Sequence, residues 1–378
     1  FLTGAPEFTR RVSESLRRDF KVGSEDTDDI LFVGQRVRWI DKKDQKKAHI
    51  QVDQETKVEE LSEIVFNKQL QDNITCTSDL HTQYRSLLGQ INWLQSRTQF
   101  QSCYAFSRCA SASAGPTIGD VRALSKLARK IRAEVVVLRF WPLKGASLRL
   151  IGFPDAAYRN NADKSSQRGQ TIFLAEQRQK GKIHTRGSLI DYESQKIKKT
   201  VLSTTVSELY AFMKCFGTCQ FLRGLWMDLS ASAAEIHMRT DANNLVTTAS
   251  TTHLPEQRET IHMINQLRHE SCSGSIDDLA HVVSADCLAD CLTKASAKPE
   301  ALIEAVRTGT ISNVDKHQSF RDLMRSKHKA YVVENDDEFS SLVAWLVQNV
   351  KDAREIQTFL AIPVRQQIAS YLSMSNSY

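Results

Sequence analysis

The sequence predicts an α/β fold, a mixed five-stranded sheet with flanking helices, preceded by an α+β and helical region. Two observations carry this. Three consecutive segments, 148–155, 171–178 and 182–192, have the apolar patterning of strands. An alternation follows: helix 204–229, strand 235–240, a short helix 242–250, helix 257–270, strand 279–284 and helix 286–295. Adjacent strands followed by alternating helices and strands call for one sheet with helices packed on its faces.

The elements ahead of that sheet follow in order. Residues 1–22 place Val12, Leu16 and Phe20 on one helical face. Ile30 to Ile40 reads as one strand, Ala48 to Val52 as its hairpin partner, and Asp41 to Lys47 as the charged turn between them. Lys57 to Phe66 reads as a helix, and Leu87 to Ala112 as a longer helical stretch ended by Gly115-Pro116. Thr117 or Asp120 can cap the next helix, whose Leu124, Leu127, Ala128 and Ile131 have core spacing. Arg122, Lys126, Arg129, Lys130 and Arg132 surround it, either as a solvated face or as a surface that tracks phosphates. Pro142 to Ala146 reads as a linker. Beyond about 306 the pattern changes: 320–325 and 339–350 look helical, and Asn335 to Glu338 is an acidic break.

With 378 residues, 25% charged and 41% hydrophobic, the chain has room for two or more domains of ordinary globular composition. No run approaches the ~20 apolar residues of a membrane span, and no secretory signal pattern is present. An intracellular, non-secreted setting is expected. The net charge of +6 is mild, so its distribution matters more than its size. Eight cysteines in such a chain suggest free thiols. Cys215/Cys219 and Cys287/Cys291 have four-residue spacing, which leaves open a zinc site or, on helical faces, small buried hydrophobes.

Four carboxylates stand out: Asp155, Glu208, Asp241 and Asp290. They fall at a strand end, a helix start, a second strand end and a late helical pattern. Each has a bland reading. Asp155 could be a turn residue after Pro154, and Thr205-x-x-Glu208 matches a capping box. Asp241 could cap a helix, and Asp290 could be an exposed helical residue. One sheet would bring all four together, and clustered carboxylates call for divalent cations to offset their repulsion. Hard oxygen ligands suit Mg²⁺, with Mn²⁺ as a substitute. Asp286, one helical turn before Asp290, is the alternative fourth ligand. Pro154 lacks the N–H of a central strand residue and puts the geometry of the first position in question.

These segments also carry a family resemblance. Ile151-Gly-Phe-Pro-Asp-Ala-Ala-Tyr158, Val201 to Tyr210, Thr240 to Asn244, Glu259 to His262, and Leu288-Ala-Asp290 with Leu292-Thr-Lys294 resemble motifs of the ribonuclease H domain in copia-type LTR retrotransposon polyproteins. Upstream, Phe32 to Val37 and Gln83 to Gly89 resemble segments late in the copia-type reverse transcriptase. The resemblance covers roughly residues 14 to 300. It implies a ribonuclease H-like fold at 146–305, the end of a reverse transcriptase (partial palm, thumb and connection) at 1–145, and an extension of unknown role at 306–378. It implies hydrolysis of the RNA strand of an RNA/DNA hybrid, with Asp155, Glu208, Asp241 and Asp290 holding two Mg²⁺ ions. The family's Tyr-x-Asp-Asp polymerase motif is absent and expected upstream of Phe1, in a reverse transcriptase portion of the same polyprotein. The loop-like Asp28-Asp29 pair is no substitute for it, so primer extension is not expected. A cytoplasmic particle or the nucleus would be the setting.

Arg178, Lys180, Lys182, His184 and Arg186, around the turn between the second and third strands, join Lys196, Lys198 and Lys199 before the first helix. Beside an acidic metal site such a cluster suits a nucleic-acid backbone, as do Lys126, Arg129 and Lys130. His281 reads as a strand residue. His262 matches a family segment but is assigned no catalytic part. Two other classes remain: a non-catalytic nucleic-acid-binding remnant of a decayed or domesticated element, and a nuclease or integrase of the same fold that prefers DNA.

Overall fold

The computed structural model describes residues 6–23, 26–44, 47–145, 147–179, 181–249 and 260–316. The chain opens with α1 (Pro6–Asp19). A four-stranded antiparallel sheet follows in the order β1 (Asp29–Phe32), β2 (Gln35–Ile40), β3 (His49–Asp53) and β4 (Leu138–Phe140). The single strand expected over 30–40 is instead the β1–β2 hairpin. Its two-residue turn puts Val33 and Gly34 at φ 49° and 71°, as a tight hairpin turn requires. Asp29 is part of β1 and pairs with Arg36 at 2.8 and 2.6 Å.

Between β3 and β4 lie α2 (Glu55–Glu59), α3 (Ser78–Gln95), α4 (Cys103–Ser111) and α5 (Ile118–Ala133). Thr117 and Asp120 form a reciprocal capping box at the start of α5. The helix expected over 57–66 ends at Glu59. Beyond it, side chains from other helices take the backbone groups: Arg132 donates to the Leu61 carbonyl and Gln90 accepts from the Ser62 N–H. The stretch expected over 87–112 breaks after Gln95. There Gln99 is buried and exchanges hydrogen bonds with the Val136 backbone at 2.8 and 3.0 Å.

The second sheet holds β5 (Leu148–Ala157), β6 (Gln167–Glu176), β7 (Thr185–Lys196), β8 (Glu235–Thr240), β9 (Asp278–His281) and β10 (Thr310–Ile311), in the order β10-β7-β6-β5-β8-β9. β5, β6 and β7 are antiparallel neighbours, whereas β5–β8 and β8–β9 are parallel. This is the mixed five-stranded sheet expected, with β10 added at one edge. Alternate residues of each strand serve opposite faces. On one face Leu150, Ile172 and Ile236 meet Leu209, Phe212 and Phe216 of α6 (Thr204–Ser230). α7 (Asn243–Ala249) and α8 (Ile261–Ser273) extend that layer. On the other face Ile151, Phe153 and Phe173 share a core with Leu302, Ala305 and Val306 of α9 (Glu300–Thr308). Phe100, Val136 and Leu138 of the preceding region enter the same core.

The helix expected over 286–295 is replaced by two 3₁₀ turns, Ser284–Asp286 and Asp290–Leu292. Cys287, Leu288 and Ala289 are all buried, and three successive residues cannot share one helical face. The domain end expected at 305 falls inside α9, and β10 continues the sheet beyond it. The helical expectations for 320–325 and 339–350, with the acidic break between them, lie outside the described residues.

A buried ion network fastens the end of this unit. Arg149 and Arg239 are 0% and 1% exposed. Asp315 accepts from Arg149 at 2.8 and 2.5 Å and from Arg239 at 3.3 Å, while Asp278 accepts from Arg239 at 2.7 Å. Removing one partner of a buried pair strands the other charge. Asp315→Ala is therefore expected to lower unfolding stability by about 3–5 kcal/mol. Urea denaturation measures this, and a loss below about 0.5 kcal/mol, typical of a surface site, would reject it.

Candidate metal centre

The parallel ladder between β5 and β8 spans Arg149 to Gly152 and then stops, while β5 stays paired with β6 as far as Ala157. A crevice thus opens at the C-terminal ends of the two parallel strands. Such ends are where open α/β sheets hold ligands. Pro154 sits past the end of the β8 ladder, where β5 has one hydrogen-bonded neighbour. The missing N–H is tolerated there as it is on an edge strand.

Asp155 lies near the end of β5, Asp241 directly follows β8, and Asp290 opens the second 3₁₀ turn after β9. One carboxylate oxygen from each lies within 4.8 Å of the others. Glu208, in the second turn of α6, is partly buried and couples electrostatically to Asp155 and Asp241. The bland readings fit less well. The cap of α6 is Ser203, which accepts from the Val206 N–H at 3.2 Å, so Glu208 is not part of a capping box. α7 begins at Asn243, two residues past Asp241, and Asp241 accepts from the Ser284 hydroxyl at 2.9 Å. Asp286 accepts from Asn313 at 2.9 Å and is not in the trio.

Asp155 is fully buried. Its Oδ2 accepts from the Thr293 hydroxyl and lies 3.6 Å from the Lys294 ammonium, whereas its Oδ1 has no partner. A buried carboxylate oxygen without a donor, on a residue clustered with two other carboxylates, fits a hard cation. Burial, opposed by Lys294, raises the Asp155 carboxyl to about 6. Burial, then the charges of Asp155 and Asp241, raises Glu208 to about 9. Burial works against the charge of Lys294, yet Asp155 and Asp290 outweigh it and hold the ammonium above the ordinary lysine range.

Three supporting residues were not singled out from the sequence. Thr293 and Lys294 stand in the quoted Leu-Thr-Lys segment, but their contacts with Asp155 are tertiary. Gly169 lies opposite Asp155 on β6, and a Cβ there would come within 2.8–2.9 Å of Thr293 and Leu292. The absence of a side chain lets the Asp290 turn approach the sheet. An isolated glycine beside a strand pattern was the available signal.

The basic residues divide. Leu148 pairs with Glu176, and Asp155 with Gly169. The β6–β7 turn with Arg178, Lys182 and Arg186 is therefore at the far end of the sheet, about seven residues or 23 Å from Asp155 at 3.3 Å per residue. The expectation that it adjoins the carboxylates is corrected by this antiparallel register. Arg178 donates to the Asp315 carbonyl, and Arg186 lies over the Trp141 ring. Lys180 lies outside the described residues. Lys196, Lys198 and Lys199 are at the Asp155 end, where Lys196 pairs with Asp163 and Lys199 lies over Tyr210. Lys126, Arg129 and Lys130 are exposed on α5, whereas Arg122 and Arg132 turn onto the 61–72 segment. The zinc alternative loses its geometry. Cys215 and Cys219 are buried under α6 and Cys287 in the core of the opposite sheet face.

No protein-family model matches the chain, and no curated protein matches it. Solved structures do. LC11-RNase H1 in complex with RNA/DNA hybrid is 17% identical, with 41% of this chain and 99% of that one covered and a TM-score of 0.29. RNase H1 from the halophilic archaeon Halobacterium salinarum is 16% identical, with 38% and 94% covered and a TM-score of 0.27. The foamy viral protease-reverse transcriptase in complex with RNA/DNA hybrid is 12% identical, with 75% and 34% covered and a TM-score of 0.39. On its own topology, an antiparallel β5–β7 unit continued by parallel β8 and β9, the sheet is ribonuclease H-like. Among the described residues no helix is long and apolar enough to cross a membrane.

The raised carboxyls make a pH prediction. Glu208 protonates more readily folded than unfolded, so its contribution to stability falls as pH rises from the ordinary glutamate range towards 9. In chelator, Glu208→Gln is expected to melt higher than the parent at pH 8 by a few degrees, about 2–4 °C per kcal/mol. The gap should close at pH 4.5. Thermal melts at both values check this, and an equal gap at the two values would refute the raised carboxyl.

Proposed function

We propose that this protein is a divalent-metal-dependent nuclease that hydrolyses the RNA strand of RNA/DNA hybrids. The observation that carries this reading is the Asp155–Asp241–Asp290 trio with its partnerless buried Asp155 oxygen. Asp155, Asp241 and Asp290 would hold Mg²⁺, or Mn²⁺ in its place, and Glu208 would complete the set once a cation offsets its neighbours. Two such ions, with substrate bound, would supply an activated water and stabilise the departing 3′ oxygen. Thr293 fixes Asp155 Oδ2, Ser284 fixes Asp241, and the sheet crevice admits one strand's phosphate. The reading of a non-catalytic remnant rested on Pro154, which the β5 geometry accommodates.

Lys198 and Lys199, exposed at the carboxylate end, would follow the phosphate backbone there. Lys126, Arg129 and Lys130 on α5, and Arg178, Lys182 and Arg186 beyond the far end of β5, would meet more distant phosphates. An A-form-like hybrid is recognised through backbone shape and 2′-hydroxyls, so sequence preference should be low. We further propose that residues 1–145 belong to a copia-type reverse transcriptase, a reading supported by the Phe32–Val37 and Gln83–Gly89 segments.

Two measurements test the reading. Asp241→Asn keeps side-chain size and removes a ligand charge. It should lower the cleavage rate by about 10²-fold or more in Mg²⁺ with hybrid affinity retained. A near-parental rate, or cleavage that survives excess chelator, sinks the metal assignment. Replacing Lys198 and Lys199 by Ala should weaken hybrid binding and flatten the slope of log K against log salt by about one unit per lost phosphate contact. An unchanged slope would leave these lysines as a solvated face.

A further inference from the structure

We propose that Lys294 is a built-in cation that takes one of the two cation positions of this centre, so that the free protein binds a single divalent ion. This rests on the metal-dependent reading above and extends it to how the centre is loaded. The geometry divides each carboxylate in two. Asp155 Oδ2 faces Thr293 and Lys294, Asp241 Oδ2 accepts from Ser284, and Asp290 Oδ1 pairs with Lys294. Among the described residues, Asp155 Oδ1 has no partner although its residue is fully buried, and the other oxygens of Asp241 and Asp290 accept no hydrogen bond. One oxygen of each aspartate is thus left without a hydrogen bond, and the lysine stands between Asp155 and Asp290.

The charges agree with the geometry. One divalent ion and one ammonium offset the three aspartates and leave Glu208 as the one carboxylate without a counter-charge. A second divalent ion in the absence of substrate would meet Lys294 at short range and be repelled. Phosphate oxygens from a bound strand bring the negative charge that a second ion needs. Lys294 is also free to yield. Its side chain is 37% exposed, and a flexible four-carbon stem carries its charge. The carboxylates can therefore stay in place before the metal arrives, with the lysine as their counter-ion.

The test counts bound Mn²⁺ on the full chain without nucleic acid, by calorimetric titration and by the EPR signal of free Mn²⁺. The parent should bind one ion per chain. Lys294→Met, which keeps the stem and loses the charge, should bind two. Lys294→Arg, which keeps a cation, should bind one. Thermal melts establish that the variants are folded, and Lys294→Ala serves as a second neutral variant. Two ions bound by the parent, or one ion bound by both neutral variants, would overturn this role for Lys294 and leave the metal-dependent reading standing. No ion bound by any of them would overturn both.

Discussion

Like charge packed at the end of a sheet is the constraint on which the rest of this structure turns. Three aspartate oxygens within 4.8 Å repel one another, and burial, with that repulsion added to it, pushes Asp155 and Glu208 towards their neutral forms. Such an arrangement persists only if the backbone beneath it cannot relax. At two sites the absence of a side chain lets the elements beneath the cluster pack closely. At Gly152 a Cβ would come within 3.0–3.1 Å of the sulfurs of Cys215, Cys219 and Met238, so α6 sits close on β5 and carries Glu208 with it. At Gly169 the Asp290 turn lies against β6 in the same way. The cysteines thus act as small, soft filling at a helix–sheet contact, a use for which buried thiols are suited.

Much of this was legible in the sequence, for specific reasons. The strands of the second sheet announce themselves as short apolar or alternating runs, and α6 as a long apolar-rich stretch without a Pro break. The β8 bounds agree residue for residue, since Glu235-Ile-His-Met-Arg-Thr240 alternates polar and apolar residues between polar breaks. The four acids were readable because Asp155 and Asp241 stand at strand ends, Glu208 near the start of α6 and Asp290 in a short segment after the last apolar run. What escaped depends on contacts distant in sequence. The 287–289 run was read as helical on local propensity, and only its threefold burial shows otherwise. β10 has two residues, too few for any periodicity, and exists because β7 offers an edge. The β1–β2 turn hid in an apolar run whose single breaker is Gly34.

The placement of positive charge shows the limit most plainly. Along the chain, Arg178 to Lys199 reads as one basic region. In the sheet it separates, because β7 runs antiparallel to β6 and carries its beginning and end to opposite ends of the sheet. Twelve residues of strand between Thr185 and Lys196 are enough to separate the two groups by the length of the site. The same strand order that converges the carboxylates therefore disperses the cations. A polyanion that meets both groups has to lie along the strands, which is a demand for an extended ligand and not for a mononucleotide.

The arginines that look most suited to a polyanion turn inward instead. Arg149 and Arg239 lie under the sheet, paired with Asp315 and Asp278, and Arg122 and Arg132 hold the 61–72 segment. Their planar, multidentate groups suit fixed carboxylate and carbonyl partners in the interior. Lysines are left at the surface near the metal centre, where a mobile point charge can follow a phosphate or yield to an ion. Lys294 belongs to that second kind although it stands inside the centre. It is the one described lysine paired with two of the clustered aspartates, and it follows the threonine that fixes Asp155. The division of labour between the two cationic side chains thus runs from the packed interior to the reactive end of the sheet. Rigid guanidinium pairs keep the frame, and an ammonium on a flexible stem stands among the clustered aspartates.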